Sequence, residues 1–255
     1  MRWAWGLIWL CMLPVWAQPR VLPLEQLRSG LHYAGSDVRA LQADEFGNPG
    51  QLWLARGEQR WSQAIGAAGK SCHSCHGPVA QSMRGVAARY PALDARSGRL
   101  MNLEDRVRHC RHTLQQGPEL AFESDDLLAL TLYITQASAG LPLNLQASAS
   151  EHLRAGERLF MQRRGQLNLA CTHCHDQNFG RRLYTDPLSQ GHPNGYPLYR
   201  LEWQTLGSLE RRLRSCLVGV RAELPEWGAL SMRQLALYLG WRAEGLPIEA
   251  PAVRK

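Results

Sequence analysis

The chain has 255 residues, 45% of them hydrophobic and 20% charged, with a formal net charge of +7. That balance excludes a disordered chain, and no stretch beyond the N-terminus is long and apolar enough to span a bilayer. Among the basic residues only Lys70 and Lys255 are lysines; the arginine excess points to an anionic substrate or partner, and no interleaving of aromatic and basic residues marks a nucleic-acid partner.

Residues 1–17 begin with Arg2, continue through an apolar run holding Trp3, Trp5 and Trp9, and end in Val15, Trp16 and Ala17. The pattern predicts a secretory signal peptide cleaved after Ala17; a membrane anchor is the alternative, against which the short run weighs. Cys11 follows Leu10 rather than a small residue, so no lipoprotein site is expected and Cys11 leaves with the signal. The mature protein is therefore expected in the periplasm, without a membrane span. Residues 18–45 form an N-terminal extension with no recognisable motif.

Beyond it the sequence repeats. "ARGEQRW" (55–61) is answered by "RAGERLF" (154–160), "CHSCH" (72–76) by "CTHCH" (171–175), and the Tyr-Pro pair at 90–91 by that at 196–197. "NLEDRVRHC" (102–110) is answered by "SLERRLRSC" (208–216), and "LALTLYI" (128–134) by "LALYL" (235–239). This predicts two tandem domains related by internal duplication, at 46–140 and 151–255, joined by a linker at 141–150. The second copy carries a longer segment between His175 and Tyr196. Each copy reads as a Gly-x-x-x-aromatic helix, a capped helix after the Tyr-Pro turn, and an apolar helix carrying Tyr133 or Tyr238. The expected class is all-α, and the arrangement resembles the class I cytochrome c fold.

Both five-residue motifs are C-x-x-C-H. Two thiols one helical turn apart can add to the two vinyl groups of one haem while the adjacent His reaches its iron. Two covalently bound haem c groups are thus expected, attached at Cys72 and Cys75 and at Cys171 and Cys174, with His76 and His175 as axial ligands. Zinc is the alternative for such pairs, though zinc does not need the following His.

The opposite axial ligand should recur in both copies. Met101 aligns with Gly207, His109 with Ser215 and His112 with Val218, whereas Cys110 and Cys216 recur. Both follow good N-caps, Asn102 and Ser208, and both fall on an apolar stripe with Leu103 and Val107, or Leu209 and Leu213. Thiolate ligation by both is the favoured reading; inert core cysteines or a Cys110 to Cys216 disulfide are the alternatives. Arg106 and Arg212 stand four residues before these cysteines, where a guanidinium favours thiolate over thiol.

With paired C-x-x-C-H motifs, a repeated distal cysteine and "R-x-x-x-C" followed by "VRAE" (220–223), the chain resembles the SoxA family, dihaem cytochrome c subunits of the SoxAX sulfur-oxidising complex. The resemblance implies an L-cysteine S-thiosulfotransferase, joining thiosulfate to a cysteine of a SoxYZ-type carrier and passing electrons to a SoxX-type monohaem cytochrome in a heterodimer. It also implies that the second haem is the active one, with Cys216 as iron ligand and sulfur nucleophile, able to carry a persulfide. Arg212 would orient the substrate, with Arg214 or Arg221 as helpers. A dihaem thiosulfate dehydrogenase forming tetrathionate and a non-catalytic dihaem electron carrier are the competing readings.

Overall fold

The computed structural model describes residues 22–145 and 151–255. The signal peptide expected at 1–17 and the last half of the expected linker lie outside the described residues. None of the described helices is long and apolar enough to cross a membrane.

Two crossed helix pairs form the frame. Helix α2 (Gly50–Ser62) crosses α6 (Asp125–Gln136), and α7 (Glu151–Met161) crosses α10 (Leu230–Arg242). Each crossing is made through a glycine. A Cβ on Gly57 would strike the Ala129 carbonyl and lie 2.6 Å from the Tyr133 Cβ; one on Gly156 would strike the Gln234 carbonyl and lie 2.8 Å from the Tyr238 Cβ. The aromatic one turn later then packs on the partner helix, Trp61 against Tyr133 at 6.2 Å between ring centres and Phe160 against Tyr238 at 5.4 Å.

Between the members of each pair run the C-x-x-C-H helix and the helix expected after the Tyr-Pro turn. The first are α3 (Cys72–His76) and α8 (Cys171–His175); the second are α5 (Leu103–His109) and α9 (Leu209–Gly219). Asn102 Oδ1 accepts from the Asp105 amide at 2.8 Å, and Ser208 Oγ from the Arg211 amide at 3.1 Å, so both expected N-caps are formed. The helix after Asn102 closes in a π turn, Cys110–Leu114, whereas α9 runs on unbroken.

The expected all-α class needs one correction, because the chain is mostly helical with small sheets. Strand β1 (Ala92–Leu93) pairs with β2 (Leu100–Met101), and a hairpin β3 (Arg182–Leu183) with β4 (Asp186–Pro187) fills part of the longer segment. Strand β5 (Leu198–Arg200) takes β6 (Thr205–Gly207) antiparallel on one edge and the C-terminal β7 (Ala252–Arg254) parallel on the other. Strands of two or three residues are too short to show the alternation that reveals a strand in sequence.

The N-terminal extension, with Asn48 just beyond it, secures this three-stranded sheet. Gln42 accepts from the Val253 amide at 2.9 Å, Asn48 donates to the Pro251 carbonyl at 3.0 Å, and Leu27 joins the core beneath α10. The described part of the expected linker is also held. Leu143 exchanges backbone hydrogen bonds with Leu246 (2.9 Å) and Gly245 (3.0 Å), and Leu143 and Leu145 are buried in the same core.

An ionic cluster joins the two helix pairs. Arg233 of α10 is buried, donates to Asp105 Oδ2 at 2.6 Å and lies 3.5 Å from Glu210, so one cation ties the N-termini of α5 and α9 together. Glu104 beside it makes no ion pair among the described residues. Burial, with the charges of Asp105 and Glu123, pushes its carboxyl up from 4.5 to about 7. The folded chain thus resists an ionisation that the unfolded chain undergoes freely, and stability falls as pH rises from about 4.5 through 7. Glu104→Gln is expected to raise the melting temperature at pH 8, by the equivalent of about 1–3 kcal/mol, and to change it little at pH 4. Thermal unfolding followed by circular dichroism at both pH values checks this; an equal effect at both would contradict it.

Candidate functional site: two crevices with unequal charge

The first crevice is a cavity of ≈ 540 Å³ whose lining includes Trp61, Cys72, Cys75, His76, Arg106 and Cys110. Helix α3 is held in place by a reciprocal cap, Ser71 Oγ accepting from the Ser74 amide at 2.9 Å and Ser74 Oγ from the Ser71 amide at 3.0 Å. Trp61 Nε1 donates to the Gly77 carbonyl at 3.1 Å and fixes the end of the motif. Cys110 stands on the opposite wall, its thiol pushed up chiefly by burial. Arg106 does not face it as a free cation. Its Nη2 donates to Asp94 Oδ1 at 2.5 Å and its Nε to the Tyr90 hydroxyl at 3.3 Å, and the Arg106 bond, with those from Ser97, holds the Asp94 carboxyl well below the usual range.

The second crevice brings His175 and Cys216 together. His175 Nδ1 donates to the Ser189 carbonyl at 2.8 Å, so the ring is fixed with its other nitrogen free to face Cys216. Gly191, in the left-handed region at φ +75°, lies under the ring, where an added Cβ would sit 3.0 Å from the imidazole. Burial acts to raise the Cys216 thiol, but a hydrogen bond from His175 and the charges of Arg212 and Arg200 bring it below its ordinary value. Burial raises Cys72, Cys174 and Cys171, the last to about 11, so Cys216 is set apart from the attachment cysteines.

Arg212, on α9 one turn before Cys216, makes no side-chain hydrogen bond or ion pair among the described residues, and its charge acts on Cys216 and Tyr196. The other two arginines of this helix region have different surroundings. Arg214 donates to the Pro225 carbonyl and stacks on the Trp227 ring at 4.3 Å, while Arg221 is exposed, in the left-handed region at φ +57°, with its carbonyl accepting from the Gln166 amide at 3.2 Å.

Both donor sets suit a covalently attached haem. Each offers two cysteines one turn apart beside a histidine, and a further cysteine across from it; the first cavity is apolar and within the size range of cofactor sites. All six described cysteines are unpaired, so Cys110 and Cys216 form no disulfide. Among the described residues no group of three or more His, Cys, Asp or Glu side chains is arranged to hold a metal ion directly.

Sequence reasoning missed the groups that orient His175. Ser189 and Gly191 lie in the longer segment, which the first copy does not repeat. Gln190 between them accepts from the Arg28 amide at 2.7 Å and donates to the Gln26 carbonyl at 3.0 Å, so the N-terminal extension braces the loop that holds the histidine.

The chain is similar to known proteins. A family model described as SoxA/TsdA, cytochrome c domain, matches residues 56–143. The chain is 38% identical, over 94% of its length and 85% of the relative's, to the L-cysteine S-thiosulfotransferase subunit SoxA of Pseudaminobacter salicylatoxidans. It is 34% identical to the protein of that name from Paracoccus pantotrophus, over 90% of this chain and 80% of the other. The crystal structure of SoxXA from P. pantotrophus superposes with a TM-score of 0.85 at 33% identity, covering 89% of this chain and 86% of that one.

Proposed function

Because this chain belongs to the SoxA family of L-cysteine S-thiosulfotransferase subunits, a haem c-binding cytochrome fold of thiosulfate oxidation, we propose that it joins thiosulfate to a cysteine of a SoxYZ-type carrier protein. It works as a heterodimer with a SoxX-type monohaem cytochrome, in the periplasm after loss of residues 1–17. It carries two haem c groups, one in each of two duplicated domains at 46–140 and 151–255. The paired glycine crossings, matching caps and matching C-x-x-C-H helices support the duplication.

The observation that carries this reading is the setting of Cys216, a half-buried sulfur faced by a fixed His175 and flanked by Arg212, a cation that makes no ion pair among the described residues. Cys72 and Cys75, and Cys171 and Cys174, would attach the haems, and His76 with Cys110, and His175 with Cys216, would ligate their irons. When bound, haem c supplies an acceptor for single electrons. Arg212 binds and orients the sulfonate end of the thiosulfate dianion, which lowers the cost of bringing two negative charges to a thiolate-bearing site. Cys216 bonds the substrate's outer sulfur with loss of two electrons, giving a Cys216 thiosulfonate whose S–SO3 bond stays intact, and the carrier thiolate then attacks that outer sulfur and releases Cys216 as thiolate. In the net reaction a sulfur–sulfur bond forms between thiosulfate and the carrier cysteine; the carrier thiol loses its proton and two electrons leave to the partner cytochrome. Arg214 is held by Pro225 and Trp227 and serves to shape the loop rather than to bind substrate.

The test is reduction of the heterodimer's haems by thiosulfate, read at the haem absorption bands. Reduction is expected to require an added carrier thiol. Equal reduction by thiosulfate alone, with tetrathionate as product, would replace this reading by a thiosulfate dehydrogenase. No reduction under either condition would leave a non-catalytic electron carrier.

A further inference from the structure

The two crevices are built alike but charged differently, and the difference falls on one position. Asp94 and Arg200 hold the same place after the Tyr-Pro turns. Ala92 pairs with Met101 and Leu198 with Gly207, and two residues on Asp94 bonds its amide to the Arg99 carbonyl at 2.9 Å where Arg200 pairs with Thr205. In the first crevice this position supplies the carboxylate that neutralises Arg106, four residues before Cys110. In the second it supplies a cation on the same side as Arg212, four residues before Cys216, and close enough for its charge to act on Cys216 and Tyr196.

The carboxylates available to offset these cations lie at the rim. Arg200 is 7% exposed, and its Nε and Nη2 donate to Glu202 at 3.0 and 2.8 Å, but the Glu202 side chain is 43% exposed. Asp186, at the β3–β4 turn, also acts on Arg212, and Lys255 draws it away at 3.4 Å. The site therefore holds one buried cation, Arg200, paired with a carboxylate at the rim, and one half-buried cation, Arg212, in no ion pair among the described residues, an arrangement that an entering anion relieves.

We propose that Arg200 is a second anion-binding residue, which with Arg212 makes the second crevice a receptor for a divalent sulfur oxyanion, and that the Asp94 to Arg200 exchange bars the first crevice from the same ligand. The proposal rests on the thiosulfate reading and deepens it. Arg200 binds through charge and takes no part in bond making, so its signature is in KM rather than kcat.

Arg200→Asp recreates at Arg212 the pair seen in the first crevice. In the haem-loaded heterodimer it is expected to raise the thiosulfate KM at least tenfold with kcat within threefold, while Arg200→Lys stays within threefold in KM. Glu202→Gln, which removes an offsetting charge, is expected to lower KM. Inorganic sulfate serves as an inert dianion probe by calorimetry and should bind the native protein and not Arg200→Asp. An unchanged KM in Arg200→Asp, or sulfate binding equal to native, overturns the proposal. If Arg200→Asp fails to load haem, Arg200→Gln decides by the same measures, with a threefold or greater rise expected. Absence of thiosulfate turnover in the native heterodimer would instead defeat the proposed function and leave sulfate binding to judge Arg200.

Discussion

Cys216→Ala is expected to lower thiosulfate conjugation by about 10³-fold or more, while Cys110→Ala keeps most of the activity. The two cysteines share a helix position and a crevice wall, so the contrast does not come from ligation alone. Cys110 sits beside an arginine already engaged by Asp94 and Tyr90, and burial pushes its thiol up. Cys216 sits beside an arginine with no carboxylate partner among the described residues and receives a hydrogen bond from His175, which brings its thiol down. A sulfur in the first setting can hold an iron, and one in the second can also meet a dianion. Steady-state turnover with carrier thiol, alongside haem absorbance to confirm loading, checks the pair. Comparable losses in both variants would show that the two crevices contribute equally.

Gly156→Val is expected to cost at least about 3 kcal/mol and to leave the second half without stable haem attachment. Helices α7 and α10 meet backbone to side chain at this point, with the Gln234 carbonyl and the Tyr238 Cβ occupying the space a side chain would need. Neither atom is the end of a flexible side chain, so the helices must separate. Phe160 and Tyr238 then lose their contact, along with the buried surface of two fully enclosed aromatics. Gly57→Val should act likewise on α2 and α6. Gly219→Ala is the control, because a Cβ there meets nothing within 4 Å and the change should be neutral or slightly stabilising. Thermal unfolding of the three variants separates loss of packing from loss of glycine flexibility. A Gly156→Val protein as stable as native would mean that the crossing does not depend on close approach.

The repeat made much of this legible before any coordinates. Gly57 and Gly156, and Asn102 and Ser208, recur in sequence, and each pair performs one physical task in two places; Cys110 and Cys216 recur at matching positions after those caps. What escaped sequence reading did so for identifiable reasons. Ser189 and Gly191 belong to the segment without a counterpart, and they act through a carbonyl and an absent side chain, which no residue type advertises. Gln42 and Asn48 stand in no motif, yet they hold the C-terminal strand, because a side-chain amide can both accept from and donate to the unpaired backbone groups beside a strand edge. Arg200 stands in a strand too short to show a period, and its meaning appears only when the register with Asp94 is seen.

Joining of thiosulfate to a protein thiol at the second crevice is what separates the proposed activity from its rivals. Mass spectrometry of the carrier's cysteine-bearing peptide, after turnover by the native heterodimer with thiosulfate, tests it most directly. The mass of a thiosulfonate adduct on that cysteine, absent with Cys216→Ala, is the predicted result. An unmodified carrier peptide accompanied by tetrathionate, or an adduct that persists undiminished with Cys216→Ala, would contradict it.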